Sequence, residues 1–150
     1  MNLQVQLELL AKVALALLLG GIMGYERERA DKPAGFRTYM LVSGASALLV
    51  GMADALLLHI NIQTGVPLSA DPIRIVESVI TGISFLGAGT ILHRRETRSV
   101  EGLTTAAGLL FSSGVGMTTA LEQFPLAIGA TVLAVLVLWG AGVLEDRIEF

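Results

Sequence analysis

Long apolar runs alternate along this chain with short charged clusters. Each run has about the 20 residues that an α-helix needs to cross the hydrocarbon core of a bilayer. Helices that are apolar on every side lack the wetted face of a soluble bundle. We therefore expect residues 1–150 to form a single all-α integral membrane domain, a compact bundle of five transmembrane helices. The pattern predicts these helices over 3–24, 38–60, 72–93, 102–121 and 124–144.

Composition narrows the classes of function. Apolar residues make up 53% of the chain and charged residues 15%, against about 25% charged residues in soluble domains. The net charge of −3 does not indicate a nucleic-acid partner, and without cysteine there is no disulfide or thiol chemistry. No nucleophile elbow or zinc-protease motif is present, so we expect no enzymatic activity.

The basic residues predict the orientation. They gather in the loop between helices 1 and 2, in the loop "HRRETRS" between helices 3 and 4, and after helix 5. Short basic loops mark the cytoplasmic face, so the N-terminus is expected outside and the C-terminus in the cytoplasm. The basic residues are Arg27, Arg29, Lys32, Arg37, Arg94, Arg95, Arg98 and Arg147.

The first basic loop, "GYERERADKPAGFRT", also contains the acids Glu26, Glu28 and Asp31. A topological anchor alone accounts for the cations but not for the acids among them. A folded, ion-paired loop that docks against the 3–4 loop accounts for both. Both interpretations stay open at this point.

Small residues recur every four positions on predicted helices 1, 2 and 4, and helix 3 has three glycines within "GISFLGAGT". Interfaces between helices in lipid favour such residues because they let the backbones approach closely. The stripes predict a tightly packed bundle without a wide pore. They comprise Ala16, Gly20 and Gly24; Ser43, Ala47, Gly51 and Ala55; Gly82, Gly87 and Gly89; and Thr104, Gly108, Ser112, Gly116 and Ala120.

Charges inside the predicted spans are costly and call for an explanation. Asp71 and Pro72 suit the N-cap and first position of helix 3, and Arg74 could pair with Asp71 or Glu77. Alternatively, Asp54, Asp71 and Glu77 line an outer vestibule as a metal site, since Mg²⁺ prefers oxygen ligands. Thr81 and Ser84 would then supply deeper oxygens.

Glu8 and Lys12 have the spacing of a helical ion pair. His59 and His93 are expected to lie too far apart to share a metal.

Three segments together resemble the MgtC/SapB family of bacterial inner-membrane proteins. They are "GYERERADKPAGFRTYMLV", "DPIRIVESVITGISFLGAGTI" and "VEGLTTAAGLL", and the resemblance covers about residues 10–140. It implies a multi-pass protein of the bacterial inner membrane with five helices and an outside N-terminus. The family is associated with growth in low magnesium and, in pathogens, with survival inside host phagocytes.

The resemblance also implies which residues matter. They are Glu26, Arg27, Arg29, Gly35, Arg37, Thr38, Asp71, Pro72, Arg74, Gly82, Phe85, Leu86, Gly87, Ala88, Gly89, Gly102, Leu103, Thr104, Thr105 and Ala106. Many members continue into a soluble C-terminal domain, whereas this chain ends at "LEDRIEF", so a role carried by that domain is not expected here. Glu77 stands where the family pattern has a small or apolar residue.

Two functions follow from these observations. The first is a membrane protein of magnesium homeostasis that binds or transports Mg²⁺ or another small cation. The second is a regulatory protein that transports nothing and modulates another membrane complex through its basic loops or small-residue faces. Mg²⁺ is the one cofactor considered. The expected partners are membrane lipids, a second copy of the chain in a homodimer, and another membrane protein.

Overall fold

The residues that the computed structural model describes form five helices and one short β-hairpin. The backbone is described for residues 2–64, 71–94 and 99–148, and the side chains for these residues except 58–64, 72, 92–94, 99 and 141–148. In chain order the elements are α1 (Leu3–Arg29), α2 (Phe36–Thr64), α3 (Pro72–Ala88), β1 (Leu92–Arg94), β2 (Ser99–Glu101), α4 (Leu103–Ala120) and α5 (Phe124–Ile148).

Helix α1 continues through the charged cluster and ends at Arg29, not at Gly24 as expected. Glutamate and arginine are good helix formers, so hydropathy marks where contact with lipid ends rather than where the helix ends. The helix stops where Ala30 leaves helical geometry and Asp31 takes a φ of 51°.

Helix α3 ends at Ala88, so the expected continuation to His93 is wrong. The chain turns at Gly89 and enters strand β1, which pairs antiparallel with β2. Gly102 then caps α4 with a φ of 89°, and a Cβ built on it would lie 2.0 Å from the Thr90 carbonyl oxygen. Glycine is required there for two reasons. Another residue would be strained at that φ, and its Cβ would collide with the Thr90 carbonyl.

The core lies where α1, α2 and α4 pack together. A Cβ on Gly20 of α1 would lie 2.5 Å from the Tyr39 carbonyl oxygen of α2. One on Gly116 of α4 would lie 2.0 Å from the Ser43 carbonyl oxygen. The backbones are therefore in direct contact, as the small-residue stripes predicted. Helix α5 packs against α1 and α4, and α3 packs mainly against α4.

Most of the predicted stripe residues are buried on α1, α2 and α4. Four of the predicted stripe residues are not buried. Gly51 of α2 is half-buried, Thr104 is exposed at the start of α4, and Gly82 and Gly89 are exposed, with open space where a Cβ on Gly82 would stand. Gly82 therefore takes no part in the close contacts between helices of this chain.

Hydroxyl groups occupy the same core and bond within it. The Ser46 hydroxyl lies 3.0 Å from that of Ser113, and the Ser112 hydroxyl donates to the Tyr39 carbonyl at 3.1 Å. Within the described part of the chain, the Ser43 hydroxyl is buried without a partner. The core is thus mainly apolar, with hydroxyl groups that bond among its tightly packed helices.

Two helices have the length and apolar character to cross a membrane within the described residues. They are α1 over Leu3–Arg29 and α2 over Phe36–Leu57. The apolar segment Phe124–Gly140 of α5 is shorter. The predicted five-helix architecture is confirmed within the described residues, with the short β1–β2 hairpin as an addition, while the crossing of the membrane by all five helices stays a prediction.

Replacement of Gly116 by alanine tests the backbone contact in the core. The new methyl group collides with the Ser43 carbonyl, so we expect about 1–3 kcal/mol of destabilisation. Thermal unfolding in detergent measures it. Gly114→Ala is the matched control, because nothing lies within 4 Å of a Cβ there. Equal effects of the two substitutions would contradict the contact.

Candidate functional site

Arg27 is a buried cation at the end of α1, with 4% of its surface exposed. Its Nε and Nη2 both bind the Glu26 carboxylate, with Nη2 2.6 Å from Oε1. The same Nη2 donates to the Leu138 carbonyl of α5 at 3.2 Å. Such two-point pairing suits the planar guanidinium. Arg27 therefore fastens the end of α1 to α5 and is more than a topological anchor.

Glu28 organises the turn that follows. Its carboxylate accepts a hydrogen bond from the Phe36 backbone N–H at 2.8 Å and so caps α2. A Cβ on Gly35 would lie 2.8 Å from that carboxylate, so the turn closes tightly around it. The segment is therefore folded, as expected, and the ion pair found in it among the described residues is Glu26–Arg27 at the end of α1. Its docking against the 3–4 loop stays a prediction, because the side chains of residues 92–99 lie outside the described residues.

Lys12 pairs with Glu122, and the expected pair with Glu8 is wrong. The Lys12 Nζ lies 2.7 Å from Glu122 Oε1, and Glu8 instead accepts from the Gln4 amide at 3.3 Å. Spacing within one helix could not reveal that the α4–α5 turn lies closer. The hydrogen bond and charge of Lys12 lower the pKa of Glu122. The ion pair therefore stabilises the folded protein at pH values above the usual glutamate pKa. This stabilisation is lost as the pH falls through the lowered pKa of Glu122.

The start of α3 confirms the capping prediction. The Asp71 carboxylate accepts from the Ile73 N–H at 3.0 Å, and Pro72 follows at the first helical position. Among the described residues no ion pair joins Arg74 to Asp71 or to Glu77. The expected local ion-pair cluster is therefore absent from this part of the structure.

One face of α3 is exposed along its length. Arg74, Ser78, Thr81 and Phe85 follow one another at three- or four-residue spacing and so share a face. All four are exposed, Phe85 to 85%. The Ser78 and Thr81 hydroxyls each donate to the carbonyl four residues earlier, at 2.8 Å. We call this surface, flanked by Glu77 and Gly82, the α3 face.

The opposite side of α3 packs on α4. Val79 is buried, and a Cβ on Gly87 would lie 3.4 Å from the Ala106 Cβ. Of the α3 residues that the family resemblance implies, those that are exposed are Arg74, Gly82, Phe85, Leu86 and Ala88. These positions are therefore not explained by packing within the chain.

The three predicted metal ligands are not brought together. Asp54, Asp71 and Glu77 are each exposed, and no group of three acidic or histidine side chains in the described part of the chain could hold a metal ion. A magnesium site built from them stays a prediction. The side chains of His59 and His93 lie outside the described residues.

The other motif residues are divided between core and surface. Thr105 is buried, and its carbonyl oxygen lies 3.5 Å from the Tyr39 phenol oxygen. Thr38 is half-buried, whereas Arg29, Arg37 and Thr104 are exposed. Sequence reasoning missed Tyr39, whose fully buried ring is placed so that a Cβ on Gly108 would lie 2.1 Å from its oxygen. The glycine in the facing stripe was the available signal.

Removal of the Arg27 side chain tests its role as a fastener. Arg27→Ala leaves the Glu26 carboxylate and the Leu138 carbonyl without their partner, so we expect about 3–5 kcal/mol of destabilisation. Arg27→Lys keeps the charge but loses the two-point geometry, so its destabilisation should be smaller than that of Arg27→Ala but still measurable. Unfolding in detergent measures both. An exposed control, Lys32→Ala, should change stability little, and an equal loss there would contradict the assignment.

Comparison with known proteins assigns the family. The MgtC family model matches residues 13–147. A protein of Escherichia coli K12 named "Putative magnesium transporter YhiD" is 36% identical over 137 residues, which cover 87% of this chain and 59% of that protein. "Protein MgtC" of Salmonella typhimurium is 39% identical over 118 residues, which cover 79% of this chain and 46% of that protein.

The chain spans only about half the length of these curated relatives. No solved structure matches it. The family match nevertheless covers nearly all of the chain, including the Arg27 fastening, the closed core and the α3 face. The protein belongs to the MgtC family.

Proposed function

We propose that this protein crosses the bacterial inner membrane five times, with its N-terminus outside, and supports magnesium homeostasis through contacts made by its α3 face. The function rests on protein contact and not on passage of an ion through the middle of the bundle. The exposed α3 face, which carries charge and family-motif residues on a helix of a membrane protein, is the observation that carries this proposal.

The tight packing of the core favours a function through protein–protein contact over passage of Mg²⁺ through the bundle. Gly20, Gly108 and Gly116 each stand where a Cβ would come within 2.5 Å of an atom of α2. Mg²⁺ gives up its water reluctantly and usually keeps several molecules. Helices whose backbones touch leave no such space between α1, α2 and α4.

The α3 face needs a cover in the membrane. Charged groups in a span are costly against lipid and normally face protein or water. Arg74 and Glu77 are one turn apart and unpaired with each other within the described residues. A second copy related by a twofold axis offers Glu77 to Arg74 and Arg74 to Glu77 at once. We therefore commit to a homodimer through this face, with another membrane protein as the competing partner.

A second candidate function is Mg²⁺ binding at the outer end of the bundle. Asp71 and Glu77 are both exposed near the start of α3, and a dimer would double the number of carboxylates there. The transporter name of the Escherichia coli relative favours this alternative. The two functions differ in whether the negative charge at Asp71 matters.

Charge reversal tests the dimer. Arg74→Glu and Glu77→Arg each place like charges across the twofold axis and should convert the dimer to monomers. The double variant restores opposite charges and should restore the dimer. Counting subunits by single-molecule photobleaching in lipid bilayers measures this. The control Lys32→Glu alters an exposed charge in the α1–α2 turn and should stay dimeric. A monomeric wild-type protein, or a double variant that stays monomeric, would refute the interface.

Asp71→Asn separates the two functions. Asparagine caps a helix as well as aspartate does, so α3 is preserved while the charge is lost. The contact function predicts unchanged growth of the bacterium in low magnesium. Loss of growth, with loss of Mg²⁺ binding by the purified protein in calorimetry, would favour the cation site instead.

A further inference from the structure

An open groove of about 300 Å³ lies on the outer side of the α1–α2 hairpin, next to the turn that joins the two helices. It does not belong to the core, because Leu18 on its wall is 63% exposed. Its walls are almost wholly apolar. The lining residues are Leu18, Gly21, Ile22 and Tyr25 of α1 with Phe36 and Met40 of α2.

Gly21 forms the floor of this groove. A Cβ there would lie 3.0 Å from both Met40 Cγ and Phe36 Cε2, so the two helices touch beneath the opening. Leu18, Ile22 and Tyr25 follow at helical spacing and form a wall about 10 Å long. The groove is therefore narrow and apolar, runs along α1 and is open on one side.

The positively charged side chain of Arg29 lies at one end of the groove, next to Tyr25. The Arg29 guanidinium carbon lies 6.0 Å from the centre of the Tyr25 ring, within reach of a cation–π contact. Arg29 forms no ion pair among the described residues. The neighbouring acids are engaged, since Glu26 binds Arg27 and Glu28 accepts from the Phe36 N–H. The Arg29 donors are thus free to bind an anion.

We propose that this groove binds one anionic glycerophospholipid, with its phosphate on the Arg29 guanidinium and an acyl chain along the Leu18–Tyr25 wall. A transmembrane helix is about 10 Å wide, so 10 Å of its length fills on the order of 800 Å³, well above the volume of the groove. A single acyl chain is slender enough.

The headgroup class follows from charge. Arginine binds phosphate oxygens in two-point geometry. Lys32 and Arg37 add exposed cations beside the turn, so the three exposed cations outnumber the exposed acids Glu28 and Asp31. A headgroup with net negative charge is favoured over one whose phosphate is balanced by its own cation. This assignment depends on membrane insertion and not on the α3 face.

Native mass spectrometry of the purified full chain in neutral detergent tests the site. Dioleoyl phosphatidylglycerol and dioleoyl phosphatidylcholine, which share acyl chains, are offered at equal concentration. The wild-type protein should bind one phosphatidylglycerol with about fivefold preference, the effect of one basic residue near an anionic headgroup. Arg29→Gln should lose most of this preference, because only Lys32 and Arg37 remain to favour the anionic headgroup. Leu18→Trp should fill the groove and weaken the binding of both lipids.

Lys12→Gln is the charge-matched control, because Lys12 stands 17 residues before Arg29 on the same helix and pairs with Glu122, away from both the groove and the α3 face. It should keep the wild-type preference. Leu18 and Arg29 are exposed, and thermal unfolding verifies that all the variants fold. Equal binding of the two lipids by the wild-type protein would overturn the proposal. So would a loss of preference in Lys12→Gln as large as in Arg29→Gln.

Discussion

Direct contact between the backbones of α1, α2 and α4 is the constraint on which the rest of this structure depends. Carbonyl oxygens of α2 lie where side chains at Gly20 and Gly116 would have to stand. In lipid, packing at this distance replaces the hydrophobic effect as the force between helices. Serine hydroxyls fit the same interface because they are small and can bond across it, as Ser46 and Ser113 do.

A core closed in this way leaves the charged groups at its edges. Arg27 is buried, and its guanidinium is paired with Glu26 and with a carbonyl of α5. Lys12 finds its acid in the α4–α5 turn. Arg74 and Glu77 have no such partner among the described residues. The proposed homodimer would give each of them a partner of opposite charge.

Much of this architecture could be predicted, because small residues and apolar runs report directly on helix contact and on lipid. The burial of Gly20, Ser112 and Gly116 and the cap at Asp71 followed from those patterns. The end of α3 and the Lys12–Glu122 pair did not. Hydropathy does not record where a helix becomes a strand, and one-dimensional spacing does not record which turn folds back onto which helix. The exposure of Gly82 was missed for a similar reason, since a stripe does not show whether its partner lies in the same chain.

The central claim is that the closed core turns the α3 face outward to meet a second copy. Because the chain has no cysteine, disulfide crosslinking of single-cysteine variants along α3 in intact bacterial membranes tests this directly. We predict crosslinked dimers with cysteine at position 81 or 85, on the exposed side, and none at 79 or 83, which lie toward α4. Crosslinking without this helical periodicity, or none at positions 81 and 85, would contradict the account.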